Sequence, residues 1–580
     1  MCITAPGSVE VADALACRSR VATADAGPSA PPPAAPGGAS PPDSISRTGQ
    51  AGGLETVHVT WVPAIGATHP EPRFHQTISV SADNAQALQA GLAKAFADQS
   101  RARSTRVILA PGLYRGSFKV GRGAAPDAWV RIEAQVPGTA ILSGADPLGG
   151  FVECGGMWRA RWPYKWGLGP VPPNHGNPYL VVGDLMRRRE MVIVDGVRLR
   201  QVLSAAEIEP GCFLVDEAGD TIYITLSDGG APGRASVETA VRSTLLHLVG
   251  RENVVVCGLV FRHDNSVYYQ PQRAALQLTS CRNVLVEACD FVENNNKGLQ
   301  IDGPGSEDLS LRRLRFFRNG CLGFLVTRCR NLLIEHCETS FNNWRGGLAG
   351  WRRDSPCGFK VMQSERVTLR GHRAIRNDAT GGWFDEDNRE VLIEDCVFYG
   401  NRRGLHLEAT TGPVLVRRCE IVSNRQEPSV NESRWAFGSG LVLTHAANVT
   451  VEDCVLADND VAQFGIRDDR ATRTLPDPAT GARSLRRTEA VAFRGNTIVS
   501  TGPHRAFLHV PHETFDGGIF WQGFHADSNY YIGPPGLDGF LVGETRPGGG
   551  TAGVGRAVRL SFSAWRARTG LDAGAFYDEH

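Results

Sequence analysis

NREVLIEDCVFYGNRRGLHLEAT, residues 388–410, is one complete 23-residue unit of the repeat that decides the fold. It opens with an alternating strand, reaches Cys396, places Asn401 five residues later, and closes on a second alternating strand, Leu405-His406-Leu407-Glu408. CRNVLVEACDFVENNNKGLQIDG from Cys281, CRNLLIEHCETSFNN from Cys329, TGPVLVRRCEIVSN from Thr411 and AANVTVEDCVLADNDVAQFGIRDD from Ala446 follow the same plan. Self-similarity at this period, with short β-branched strands and no helical pattern between them, signals a solenoid of stacked β-coils. A single coil cannot bury its apolar face; stacking buries it.

Two side-chain columns carry the register. Cys289, Leu314, Cys337, His372, Cys396, Cys419 and Cys454 suit a small, mostly apolar interior stack. Asn294, Asn319, Asn342, Asn377, Asn401, Asn424 and Asn459 suit a turn, because Asn tolerates the left-handed region and its amide can bond nearby backbone or its own copy in the next coil. One residue per coil at one site is a ladder, so neither column reads as a set of metal ligands, and no metal or cofactor is expected.

With that register the second strands align as Leu276-Gln277-Leu278-Thr279, Leu299-Gln300-Ile301-Asp302, Phe324-Leu325-Val326-Thr327, Phe359-Lys360-Val361-Met362, Gly382-Trp383-Phe384-Asp385, Leu405-His406-Leu407-Glu408 and Leu441-Val442-Leu443-Thr444. The first and third members face the core, so the second and fourth face outward. Asp385 and Glu408, 23 residues apart, therefore occupy one position on consecutive coils. Stacked strands lie about 4.8 Å apart, and carboxyls roughly 5 to 5.5 Å apart are the working pair of a retaining glycosidase. Mutual repulsion should raise one pKa and leave one acid, the longer-armed Glu408, and one nucleophile, Asp385. Asp387 is the rival nucleophile. Trp383 offers an indole on which a sugar could rest, Lys360 and His406 offer hydroxyl or carboxylate contacts, and Asp302, three coils earlier, is a candidate for binding a distal sugar hydroxyl or a cation, or for a structural turn.

Two coils are overlong by about a dozen residues, one from Trp344 and one from Arg425. Both depart just before the outward strand, so they should rise as walls beside the carboxylates, bringing Trp344, Arg345, Trp351, Arg352, Arg353, Arg434 and Trp435 to a sugar.

Lys plus Arg equals Asp plus Glu, 61 each, which leaves no global basic field for nucleic acid or an anionic membrane. No apolar run approaches about 18 residues, so no transmembrane helix is expected. The partners expected are a carbohydrate substrate and a possible homo-oligomer. Residues 1–55 read as a Pro/Ala/Gly-rich disordered tail without a basic-then-apolar secretory leader. With cysteines placed as separate interior residues, this favours reduced thiols and a cytoplasmic location. Residues 56–147 read as an N-terminal cap, with a helix near Asn84, and the first coils; 148–243, with Asp-Gly, Pro-Gly and Gly-Asp turns, as an inserted antiparallel β-sandwich; 244–535 as the main solenoid; and 536–580 as a segment packing back on it. RATRTLPDPATGARSLRRT, from Arg470, is a polar, Arg-rich insertion.

GWFDED, residues 382–387, and HLEATTGP, residues 406–413, resemble the nucleophile and acid/base segments of glycoside hydrolase family 120. The REMVIVDG stretch from Arg189 and the closing WRARTGLDAGAF from Trp565 are similar to that family as well. The resemblance implies an all-β right-handed parallel β-helix with an inserted β-sandwich, a retaining β-xylosidase-like activity, Asp385 as nucleophile and Glu408 as acid/base. The competing readings are a polysaccharide lyase using Lys360 or His406 as base on a uronate, and a non-catalytic glycan-binding solenoid.

Overall fold

The computed structural model describes residues 73–124, 127–171, 181–233, 235–268, 273–352, 356–426, 438–467, 473–476, 481–512, 518–543 and 557–579. The N-terminal tail expectation, Arg353, Arg434 and Trp435 lie outside them.

Three sheets of 13 strands each run the length of the solenoid. Each coil contributes one strand to every sheet, and the pairing is parallel except at the final edge, where Val558–Leu560 runs antiparallel to Phe540–Val542. This is a parallel β-helix. Every outward strand pairs with its predecessor in the register read from the repeat: Leu276 on Leu299, Lys360 on Trp383, Trp383 on His406, and Asp385 on Glu408.

One continuous apolar core fills the coils. Phe261, Phe291 and Phe316 stack with centroids 5.0 and 4.7 Å apart, and Phe324, Phe359 and Phe384 continue the column. Each contributes roughly 1.5–3 kcal/mol of burial, so the core stiffens the sheet that carries the site. The Cys column is interior, none of the described cysteines forms a disulfide, and His372 is fully buried with its pKa pushed down to about 3 by desolvation.

The asparagines form a ladder. The Nδ2 of Asn294, Asn319, Asn342, Asn377, Asn401 and Asn424 each donates to Oδ1 of the next, at 2.7 to 3.2 Å. One correction follows: the left-handed residue of each turn is the one before the Asn, as at Glu293 (φ 51°), Arg318 (φ 53°) and Arg376 (φ 50°). The Asn is there for its buried amide rather than for its backbone tolerance.

At the N-terminal end, helix Ala85–Gln99, capped by Asn84 Oδ1 accepting from the Ala87 N–H at 2.8 Å, buries Leu88, Leu92, Ala95 and Phe96 in the solenoid core. Between Ala145–Pro147 and Val237–Ala240 the chain leaves the coils to make a four-stranded and a five-stranded sheet, largely antiparallel, around Trp162, Phe213, Ile222 and Ile224. At the other end Phe562–Thr569 is helical, buries Trp565, and leads to Phe576–Glu579, the last strand of the third sheet.

Candidate active site

Strand alternation turns Asp385 and Glu408 out of the core, and parallel pairing sets one over the other. Neither is an ordinary solvated acid: Asp385 is 5% exposed and Glu408 9%. Lys360 Nζ pairs with Asp385 Oδ2 at 2.9 Å. Asp385 Oδ1 accepts no hydrogen bond, although Arg473 Nη2 lies 3.3 Å away. The strand end is fixed by Asn388, whose Nδ2 donates to the Asp385 carbonyl at 2.8 Å and to that of Val361 at 3.0 Å. Two successive left-handed residues, Glu386 (φ 52°) and Asp387 (φ 51°), make the turn that Asn388 closes. Such conformations cost energy and persist only when neighbours enforce them.

Glu408 Oε1 accepts from Arg473 Nη1 at 2.5 Å. Its pKa is pushed up to about 6, first by burial and second by the charge of Asp385, against the pull of Arg473, Lys360 and Arg467. Neighbour repulsion alone was the expected cause; desolvation is the larger one. His406 Nδ1 sits 3.6 Å from Glu408 Oε2, too long for a hydrogen bond. Complete burial and four surrounding cations hold the His406 pKa well below its usual range, so this contact is no ion pair. His406 Nε2 shares a 3.0 Å hydrogen bond with Thr444 Oγ1.

Trp383 is not an open platform. Its ring is 7% exposed, with Lys360 Nζ 3.8 Å and the Arg403 guanidinium 5.4 Å from its centroid and the His406 ring 5.1 Å away. It packs with Trp351, Tyr268, Leu322, Cys357, Val182 and Met186. Trp351 is likewise a buried wall, 5% exposed, rather than a stacking surface.

Trp344 and Arg345 correct the expectation for the first insertion. Helix Trp344–Leu348 turns away from the carboxylates toward the inserted sheets, where Trp344 packs on Ala145, Met191, Ile193 and Ala240 beneath the Arg198 guanidinium, 3.6 Å from its ring. Arg345, 1% exposed, donates to Asn295 Oδ1, Gln201 Oε1 and the carbonyls of Leu185 and Glu190. With those donors spent inside the protein, Arg345 fastens the insertion to the solenoid and cannot reach a sugar. Arg352 Nε donates to Asp378 Oδ1 at 2.8 Å. Asp302 accepts from Thr279 Oγ1 at 2.8 Å and Gln300 Nε2 at 3.0 Å.

The wall that does meet the carboxylates comes from the Arg-rich insertion. Arg473–Pro476 and Arg483–Arg486 pair as an antiparallel hairpin. Its Arg473 reaches Asp385, Glu408 and Glu386, the last at 3.0 Å, and its Arg486 donates to Asp387 Oδ1 at 2.5 Å. Asp387, so engaged, makes a side wall. Arg403, its pKa lowered to about 9 by burial, donates to Thr380 Oγ1 at 2.9 Å beneath the pair. Arg473, Arg486, Arg403 and Asn388 were missed from sequence. The signal for the first two was present in the length and Arg content of residues 470–488, which the repeat does not need.

Comparison with known proteins supports the fold. The family described as right handed beta helix region matches residues 274–456 and, overlapping, 349–502. The complex structure of XylC with xylose is similar over 76% of this chain and 81% of its own, at 13% identity and a TM-score of 0.54. The A-module of the Azotobacter vinelandii mannuronan C-5 epimerase AlgE6 matches over 80% of this chain and 93% of its own, at 14% identity and a TM-score of 0.43. The catalytic unit of a GH87 alpha-1,3-glucanase from Streptomyces thermodiastaticus covers 84% of this chain and 70% of its own, at 11% identity and a TM-score of 0.36. No curated protein sequence matches the chain.

Proposed function

We propose that the protein is a retaining glycoside hydrolase in which Asp385 attacks the anomeric carbon and Glu408 protonates the departing oxygen, then activates water. One observation carries the reading: Asp385 is anchored through Oδ2 by Lys360 while buried Oδ1 accepts no hydrogen bond, one rung from a carboxyl whose pKa is raised to about 6. A nucleophile needs to be ionised and held in one orientation, and Lys360 on Oδ2 with Arg473 3.3 Å from Oδ1 supports both, while Oδ1 keeps its hydrogen-bonding capacity unspent. An acid/base needs a pKa near the working pH, which burial supplies at Glu408. The cations around the pair suit the negative charge of Asp385 and of the Glu408 anion formed once its proton has left. The fold shared with xylose-bound XylC makes a xylosyl unit the first sugar to try.

A panel of aryl glycosides tests the reading. Asp385→Ala should lose hydrolysis that azide restores as a glycosyl azide of inverted configuration. Rescue at Asp387→Ala instead would move the nucleophile to Asp387. An ultraviolet-absorbing unsaturated product from pooled glycans would replace hydrolysis by elimination, and unchanged properties of both Asp385→Ala and Glu408→Ala would leave a binding solenoid.

A further inference from the structure

The outward sheet repeats the chemistry of the catalytic coils at a second place. Strand Lys297–Asp302 reads KGLQID and strand Arg403–Glu408 reads RGLHLE, so Lys297, Gln300 and Asp302 stand where Arg403, His406 and Glu408 stand. The two strands between Lys297–Asp302 and Thr380–Asp385 carry Leu322, Leu325 and Cys357 on this face, packed with Trp351 and Trp383.

The second cluster is unsatisfied. Thr279 Oγ1 donates to Asp302, shares a 3.1 Å contact with His247 Nε2 and accepts from Gln277 Nε2 at 3.4 Å; Gln300 Nε2 donates to Asp302. The carbonyl oxygens of Gln277 and Gln300, on consecutive rungs and 0% and 4% exposed as residues, accept nothing. Lys297, 7% exposed, makes no hydrogen bond or ion pair among the described residues, and burial pushes its amine down to about 8. Buried acceptors are nearly always paired in folded proteins, so two unmet amide oxygens beside an unpaired amine on one face describe a place that partners from outside can complete.

We propose that Gln277, Lys297 and Gln300, with Asp302, form a remote subsite that binds a neutral sugar unit of the same oligosaccharide that is cleaved at Asp385 and Glu408. The proposal rests on the glycosidase reading. Sugar hydroxyls donate to the two amide oxygens and accept from the amine, satisfying all three. A metal ion would meet the Lys297 ammonium, and a uronate carboxylate would meet Asp302 and two carbonyl dipoles. Three rungs of about 4.8 Å put Asp302 about 14 Å from Asp385, more than one sugar ring spans. Thr327 and Met362 lie partly exposed in the intervening column, and a cavity of about 510 Å³ runs beside these coils from Gly305 and Ser306 past Arg328 and Gln363 to Asp387.

Two measurements test the subsite. In the first, Asp385→Asn protein is titrated by calorimetry with xylotetraose, cellotetraose, mannotetraose, their disaccharides and tetragalacturonate. At least one neutral tetrasaccharide should bind at least tenfold tighter than its disaccharide, and adding Lys297→Met or Gln277→Leu should erase that advantage. In the second, the ratio of kcat/KM on aryl tetraosides to that on aryl monosides should fall at least tenfold in Lys297→Met and in Gln277→Leu. Binding without turnover in the parent would remove the hydrolase reading and keep the subsite. Equal length dependence in parent and variants, no binding by any neutral tetrasaccharide, or tightest binding of tetragalacturonate would overturn the subsite. Either variant alone suffices for the readout, should the other fail to fold.

Discussion

Two stretches of one sheet, Leu276–Asp302 and Thr380–Glu408, share strand positions, outward acids and a cation at the strand start, yet end in opposite electrostatic states. Around Asp385 and Glu408 the cations are engaged: Lys360 and Arg473 close on the carboxyls. Around Asp302 the acid accepts from neutral donors, two amide oxygens accept nothing, and Lys297 makes no ion pair among the described residues. The difference lies in what covers each place. A hairpin carries two of its arginines, Arg473 and Arg486, to the first, and no corresponding arginine pairs with Asp302 among the described residues. Equal strand chemistry becomes a reactive pair or a set of hydrogen-bonding groups according to the loop laid over it.

The largest effect that could break this contrast is at the acids themselves. Asp385→Asn should reduce aryl glycoside hydrolysis to background, while Asp302→Asn, at the equivalent position, should leave measurable turnover; equal losses in steady-state assays would make the two places one machine. Glu408→Gln should cost about 10²–10⁴-fold in kcat on glycosides with poor leaving groups, the usual worth of a general acid, and less on activated aryl leaving groups.

The pH profile sharpens the contrast further. Glu408 must be protonated to act as acid, so activity should fall as pH rises through about 6. Arg473 lowers that pKa, and Arg473→Met should therefore move the alkaline limb to higher pH; an unmoved limb in kcat/KM profiles would show that Arg473 does not act on Glu408.

The smallest effects concern stability. Lys297 has a folded-state pKa of about 8 against an ordinary 10.5, so its buried charge destabilises the fold fully below pH 8, and that cost fades as pH rises from 8 toward 10.5. Lys297→Met should therefore raise unfolding free energy at pH 7 by about 1–3 kcal/mol, with the gain shrinking at high pH in denaturant titrations. Arg345→Ala, by contrast, should lower it by about 3 kcal/mol because several buried acceptors lose their donor together.

Much of this was legible in the chain. Leu405, Leu407 and Cys396 announced the coil, and 23-residue spacing set Asp385 over Glu408 because hydrogen-bonded strands transmit register from coil to coil. Trp344 and Arg345 were misplaced because a loop's departure point does not say which way it bends; the helix at Trp344 follows the apolar surface of the inserted sheets. Trp383 was misjudged because outward means away from the solenoid core, and a second apolar layer waits there. Arg473 was overlooked because its partners lie 65 and 88 residues back in the chain, a distance no local pattern spans.

Periodicity in the residues was enough to settle the coil, its interior columns and the stacking of two carboxyls, since each follows from alternation and from one repeating length. Their burial, the lifted acidity of Glu408, the unbonded Asp385 oxygen and the unmet groups near Lys297 arose only when distant loops folded over the sheet. Solvation and charge depend on everything within a few ångströms, and for those coils most of that surrounding arrives from elsewhere in the chain.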